Sequence, residues 1–557
     1  MINALVWLPM AALSRGRGRC YMQHTEFDYV IIGAGAAGCV LAHRLSEDPA
    51  ISVALLEAGG EDRHPLIHMP KGLGKLITDP KLTWQYPAEP EEGNAYQPEH
   101  WARGRVMGGS SSLNGLMYVR GQPADFNDIA AQSSEDWSWP HIGAAYQALE
   151  QHQLGSGLTR GSSGPLKISM ADRRTPLTEA MVAAAAQMGL AVSEDPNLPS
   201  DAPCVGYAAR TIWQGRRQSA AKAFIAPVRG RPNLHIFTHQ LCDRIEFDEG
   251  RAVAVLCQSA KNGTPSRFAA RREVIVAAGA MASPGILQRS GVGPAERLAA
   301  LGIPLVADSP EVGENLIEHR GILVQWKLRQ PLSENAEYAG VRLLKNVFKY
   351  WFNKSGPMAA GAYEVGAWFA SGASSRPDIQ FLIAPFSFDL SAPGREKLEP
   401  FPGMSIVGYP LRPTSRGSIH IASRDPAAMP VLVPNYRKTA EDRALMQRTV
   451  ELAREWAGQA ALQPFIDAES YPGPSCVSDA QILAAFDQHG SCGYHAVGSC
   501  RMGADAQSVV DPALRVRGVS GVRVMDTSIM PQIPSGNTNG PTMAMAWRAA
   551  DIILRDH

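Results

Sequence analysis

The chain carries no net charge. Its 53 Lys and Arg are matched by 53 Asp and Glu. That balance speaks against a uniformly basic nucleic-acid surface, and no nucleic-acid partner is expected. It also lacks any run of about 18 apolar residues, so no transmembrane helix is expected. The apolar stretch from Ala4 to Leu13 is too short to span a bilayer. Arg15, Arg17 and Arg19 follow that stretch, where a secretory signal would carry its charge in front. Residues 1–23 are therefore read as an extension that need not be native structure, because Met22 stands just ahead of the first strand; a weak membrane anchor is the alternative. Close cysteine pairs are missing as well. The eight cysteines, at 20, 39, 204, 242, 257, 476, 492 and 500, form no C-x-x-C and no zinc spacing. No metal site is expected. A reduced, cytoplasmic protein is the simplest reading, with peripheral association with the inner membrane left open. No internal repeat or low-complexity tract is present.

What the chain has is length and turns. At 557 residues it exceeds what one hydrophobic core supports, so at least two domains are expected. Its 52 Gly and 41 Pro, in a composition 45% hydrophobic, indicate many turns and connections rather than disorder.

The strongest local pattern begins at Phe27. Phe27 to Ile32 read as a buried parallel strand. Gly33, Gly35 and Gly38 follow as G-x-G-x-x-G, and Ala36, Ala37 and the residues to Leu45 have helical composition. In such a unit the first glycine makes the tight turn, the second lets the backbone approach a pyrophosphate, and the third lets helix and strand pack closely. Free N–H groups at the helix start favour the phosphates. A second strand, Ser52 to Glu57, ends in a carboxylate about 22 residues after Gly35, where a ribose-binding acid belongs.

Further blocks make the chain resemble the glucose–methanol–choline (GMC) oxidoreductases. RGRVMGGSSSLNGLMYVRG (Arg103 to Gly121) resembles the first family signature and GAMASPGILQRSGVGP (Gly279 to Pro294) the second. PEVGENLIEH (Pro310 to His319), YHAVGSCRMG (Tyr494 to Gly503) and VMDTSIMPQIPSGNTNGPTMAMAWRAADII (Val524 to Ile553) follow in the family's order. The resemblance is nearest to choline-dehydrogenase-like and bacterial alcohol-dehydrogenase-like members. It implies FAD rather than NAD, consistent with Ala58-Gly59-Gly60 after Glu57. It places Val106, Gly109, Asn114, Gly115, Leu116 and Met117 along the flavin and diphosphate, a main-chain contact to adenine near Cys242, and Tyr494, Asp526, Thr527, Pro541 and Thr542 around the flavin. Members with covalent flavin carry His where this chain has Leu113, so the FAD is expected to be non-covalent.

Oxidising an alcohol requires a group to take the hydroxyl proton, and a neutral imidazole suits that task. Composition cannot choose among 14 histidines. The resemblance selects His495, set among small residues, and pairs it with Asn539. An amide cannot take the proton, so His495 is the single candidate base, and Asn539 would orient the alcohol. The implied reaction is oxidation of a primary alcohol to the aldehyde, with hydride passing to flavin N5 and electrons then to a quinone, a cytochrome or another acceptor. An oxidase using O₂ and a non-redox lyase of the hydroxynitrile type are the alternatives.

The expected fold is α/β, α+β overall. A Rossmann-type FAD-binding domain would use 24–160, 225–317 and 486–557, and an antiparallel-sheet substrate-binding cap 161–224 and 318–485. Leu234 to Cys242 reads as one strand, Thr439 as the cap of a helix to Ala457, and Thr542 to Leu554 as a helix opened by Pro541. Glu364 is expected to pair with an arginine of the fold, with a cationic substrate as the alternative.

Overall fold

The computed structural model describes residues 14–16, 19–23, 26–391 and 397–557. The apolar stretch Ala4 to Leu13 lies outside the described residues. Cys39, Cys204, Cys242, Cys257, Cys476, Cys492 and Cys500 are free. Among the described residues no helix is long and apolar enough to cross a membrane, and no His, Cys, Asp and Glu cluster could hold a metal ion.

Two large sheets organise the chain. In the first, five parallel strands lie side by side: Val522–Val524, Pro265–Val276, Phe27–Ile32, Val53–Glu57 and Leu234–Thr238. Every residue of Phe27–Ile32 and of Val53–Glu57 is buried. Strands covered on both faces need apolar side chains on both, which is why these segments read as continuous apolar runs. Each Val, Ile or Leu so buried stabilises the fold by about 1.5–3 kcal/mol. Helices Ala36–Leu45 and Asn539–Arg555 pack against each other beside this sheet.

The expected single strand from Leu234 to Cys242 is two. Leu234–Thr238 runs parallel to Val53–Glu57, and Gln240–Asp248 turns into an antiparallel meander with Arg251–Ser259. The break is His239, at φ +60°, whose N–H donates to the Gly59 carbonyl at 2.8 Å. Turning from the parallel strands into the meander, which rejoins the same sheet through Pro265–Val276, costs one left-handed residue.

The second sheet has eight strands. Arg320–Leu328, Gly403–Pro410, Ile379–Ala384, Val365–Phe369 and Cys204–Tyr207 are neighbours and pair antiparallel. Helix Ala440–Ala457 covers it, and Thr439 Oγ1 accepts from the Asp442 N–H at 3.2 Å, as its place before the helix predicts. The strand around Ser418–His420 does not join this sheet. It pairs with Val431–Val433 in a separate four-stranded sheet beside Thr83–Ala88 and Glu99–Gly104.

The C-terminal helix starts earlier than its proline suggests. It runs from Asn539, so Pro541 is its third residue. The first four N–H groups of a helix have no partner within it, so a proline there sacrifices no hydrogen bond. The shift makes Asn539 the first helical residue.

Candidate active site

One cavity of about 790 Å³ runs from the glycine turn to the second sheet. That volume lies toward the upper end of the about 300–1,000 Å³ typical of ligand sites. At its nucleotide end the backbone does most of the shaping. Gly33 sits at φ +102°, and a Cβ on Gly38 would stand 1.9 Å from the Gly33 carbonyl oxygen. A Cβ on Gly35 would meet nothing within 4 Å, because that position opens onto the cavity. Glu57 is buried and locked: its carboxylate accepts the Ala34 N–H at 3.0 Å and the Gly59 N–H at 2.8 Å. Burial pushes its pKa up to about 7, against the pull of those two donors.

The loop after Val106 closes over this turn. A Cβ on Gly109 would lie 2.8 Å from the Gly35 Cα, so loop and turn touch backbone to backbone. Buried Arg217 staples the loop. Its Nη1 donates to the Ser111 carbonyl at 3.2 Å, the Asn114 carbonyl at 2.8 Å and Asn114 Oδ1 at 2.7 Å, and its Nε to the Ile67 carbonyl at 2.9 Å. Asp526 is equally committed. It accepts from Gly279 N–H (2.9 Å), Ser283 Oγ (2.6 Å) and Ser528 N–H (2.8 Å), and so ties the turn after Val276 to the turn after Val524.

At the other end stands His495, buried, with its backbone turned inward by Tyr494 at φ +63°. A bulky residue in that region is strained by about 1–3 kcal/mol, a cost met by the surrounding contacts. The His495 N–H donates to both Glu318 oxygens, at 2.8 and 3.0 Å, and the His319 N–H to Glu318 Oε1 at 2.9 Å. Arg103 lies 3.3 Å from the same carboxylate, which burial raises to a pKa of about 7.

The imidazoles of His495 and His319 meet Nδ1 to Nδ1 at 3.0 Å. Burial pulls both below the ordinary histidine range, His319 to about 4 and His495 well below 6.5. Both rings are therefore neutral, with one N–H each. His319 Nε2 lies 2.9 Å from the Leu411 carbonyl oxygen, which can only accept, so the His319 proton is on Nε2. His319 Nδ1 must then accept, and His495 Nδ1 must donate. The lone pair of His495 is left on Nε2. There it receives the Asn537 amide N–H at 2.9 Å. The Asn537 carbonyl oxygen is buried with no partner among the described residues.

Most of the expected site residues come together. Gly33, Gly35, Ala36, Ala37, Glu57, Ala58, Gly109, Asn114, Gly115, Leu116, Met117, Cys242, Tyr494, His495, Asp526, Thr527, Asn539 and Thr542 all line the cavity. Three do not. Gly38 lies behind the turn against Gly33; Val106 is fully buried in a small cluster with Ile67, Leu76 and Leu113; and Pro541 is buried in the first helical turn. Asn539 reaches the wall, yet the amide that meets His495 is that of Asn537. His319, Glu318, Asn537 and Arg217 were missed as single residues. The one signal for them was that the first three lie within the blocks already singled out. Glu364 is off the cavity wall, 3.8 Å from Arg210, the arginine pairing expected of it.

A nucleotide cradle that runs without interruption to a neutral imidazole suits an enzyme whose cofactor is itself the oxidant. The class so defined is the FAD-dependent oxidoreductases that act on CH–OH groups. More narrowly, the chain belongs to the GMC oxidoreductase family, whose N-terminal model matches residues 27–320 and whose C-terminal model matches 413–546. It is 38% identical over 538 residues to the mitochondrial choline dehydrogenase of Mus musculus, covering 95% of this chain and 89% of that one. It is 36% identical over 532 residues to an alcohol dehydrogenase (acceptor) of Pseudomonas putida, covering 95% and 96%. Among solved structures, pyridoxine 4-oxidase from Mesorbium loti matches with TM-score 0.86 at 30% identity over 96% of this chain and all of that one. Aspergillus oryzae formate oxidase matches at 0.89 and 25% identity, over 96% and 99%.

Proposed function

We propose that the protein oxidises an uncharged primary alcohol to its aldehyde, with His495 as the base and a quinone or similar carrier as the final acceptor. The observation that carries this reading is the fixed lone pair on His495 Nε2. Bound FAD would be the oxidant, receiving the carbinol hydride at N5. The chain supplies the rest. The backbone from Gly33 to Ala37 and the Val106–Asn114 loop would hold the phosphates and the flavin edge, with Glu57 toward the ribose. The start of the Asn539–Arg555 helix, on the wall at Thr542, would lend its positive end to the reduced flavin.

His495 Nε2 would take the hydroxyl proton. The Leu411 carbonyl and His319 keep that nitrogen unprotonated beforehand. Nε2 has one lone pair, so the alcohol hydroxyl would take the place of the Asn537 N–H there, and the displaced Asn537 amide and Asn539, two residues on along the same wall, would hold the alcohol oxygen. Leu382, Val407, Tyr363 and Tyr409 line the far side. They offer an aliphatic chain apolar contact and keep water from the base. The carboxylates on the wall are engaged: Glu57 and Asp526 accept backbone N–H groups, and Glu99 pairs with Arg320 at 2.9 Å. That favours an uncharged alcohol over a quaternary ammonium one. The Pseudomonas putida relative named an alcohol dehydrogenase (acceptor) supports a carrier, and the relatives named oxygen-dependent choline dehydrogenase keep O₂ as the second reading.

The test is an anaerobic panel of aliphatic, aromatic and amino alcohols, read by bleaching of the oxidised flavin band. Faster bleaching by aliphatic alcohols than by choline supports the reading. Choline as the best reductant would overturn the substrate assignment, and an equally fast reoxidation in air would overturn the acceptor.

A further inference from the structure

Helix Gly340–Asn353, GVRLLKNVFKYWFN, is unlike every other element of the molecule. Fifteen large hydrophobic side chains are exposed among the described residues, and five of them are here: Val341 (81%), Leu344 (61%), Phe348 (62%), Trp351 (48%) and Phe352 (81%). Single exposed hydrophobics are ordinary, but a contiguous set marks a contact surface.

At about 100° per residue the helix divides into three sectors. Asn346, Tyr350, Leu343 and Val347 share one and face the protein, packing with Met69 and Met358. The five exposed side chains fill a second sector of about 100°. Arg342, Lys345 and Lys349 fill the third, directly beside the apolar one. No Asp or Glu occurs from Gly340 to Lys354, although acids and bases balance over the chain as a whole.

We infer that this helix is a docking surface for an anionic phospholipid membrane, lying in the plane of the interface. Apolar and aromatic side chains on one sector, flanked by cations, are what such a position requires. The charge decides between occupants. A second copy of the chain would bring its own helix with the same cations to the contact, whereas an anionic headgroup layer complements them. The position also carries a consequence. Tyr350 Oη donates to the His68 carbonyl at 3.0 Å, and Leu73 and Ile77, a few residues on, line the cavity. A docked molecule would hold that flank of the cavity toward the bilayer.

The test uses the full-length, FAD-loaded protein and co-sedimentation with vesicles of phosphatidylcholine, with and without phosphatidylglycerol. The wild type is expected to pellet with the phosphatidylglycerol vesicles. Phe348→Asp with Phe352→Asp should lower the bound fraction at least about tenfold with the flavin spectrum unchanged. Lys345→Glu with Lys349→Glu, which leaves the apolar sector intact, should remove the preference for phosphatidylglycerol. A wild type that stays in the supernatant overturns the inference. So does a Phe348→Asp, Phe352→Asp protein that pellets like the wild type. Light scattering that shows a dimer for the wild type and a monomer for that variant would assign the face to a second copy instead.

Discussion

The nucleotide end of the cavity is built from backbone and the substrate end from side chains. At the first, Gly33, Gly35, Gly38 and Gly109 set the shape by what they lack, and Glu57 is held by two N–H groups within 25 residues of the same chain segment. At the second, His495, His319, Leu411 and Asn537 come from four separate segments, and no two of the bonded rings or groups are closer than 42 residues in sequence. The first end tolerates almost no added atoms. The second tolerates changed atoms but depends on which nitrogen carries a proton. Damage at the first should therefore remove the cofactor, and damage at the second should leave it bound and slow the chemistry.

The largest effect should come from Gly38→Val. Its side chain must displace the Gly33 carbonyl, and the purified protein should carry no flavin; a yellow, active variant would break the contrast. His319→Phe should keep the flavin and the stacking on Tyr409, whose ring lies 4.8 Å from His319. It removes the acceptor that fixes the His495 tautomer, and flavin reduction should slow by roughly tenfold or more. Burial, the first cause of the low His495 pKa, stays in this variant and only the second, His319, is removed, so the acid limb of the pH profile should rise a little yet remain below 6.5; an unslowed flavin reduction would reduce His319 to packing. Asn537→Ala removes one hydrogen bond to a neutral acceptor, worth about 0.5–1.5 kcal/mol, and should cost a few-fold in rate. Asn539→Ala measured beside it shows which amide serves the alcohol: a larger loss at Asn539 places the substrate oxygen there. The smallest perturbation is denaturation alone. Leu113, buried on the cavity wall, offers no nucleophile, so unfolded protein should release free FAD into the supernatant.

The same contrast explains what the sequence disclosed. The strand, glycine turn, helix and Glu57 are local, and each residue type there answers one steric or electrostatic demand, so the pattern could be read directly. The two-sheet division and the helix after Thr439 were legible for the same reason. The partners of His495 were not. A histidine that sets a tautomer has no composition of its own, and its 176-residue separation from His495 leaves no periodicity to read. Asn537 and Asn539 differ by two positions in one short turn, and which one meets the imidazole depends on a helix that begins before its proline. The kink at His239 was equally silent, because both strands it joins are rich in the same β-forming residues.

The most direct test is rapid anaerobic mixing of the FAD-loaded protein with a reducing aliphatic alcohol, from pH 5 to 9, for wild type and His495→Ala. A base must be unprotonated to act, and burial lowers the His495 pKa. The wild-type rate should therefore be flat at neutral and alkaline pH and fall only below the ordinary histidine range. His495→Ala should be slower by roughly 10²-fold or more at every pH, with that acid limb gone. A near-wild-type rate in His495→Ala, or a wild-type rate that falls at or above pH 6.5, would contradict the assignment of His495 Nε2 as the proton acceptor.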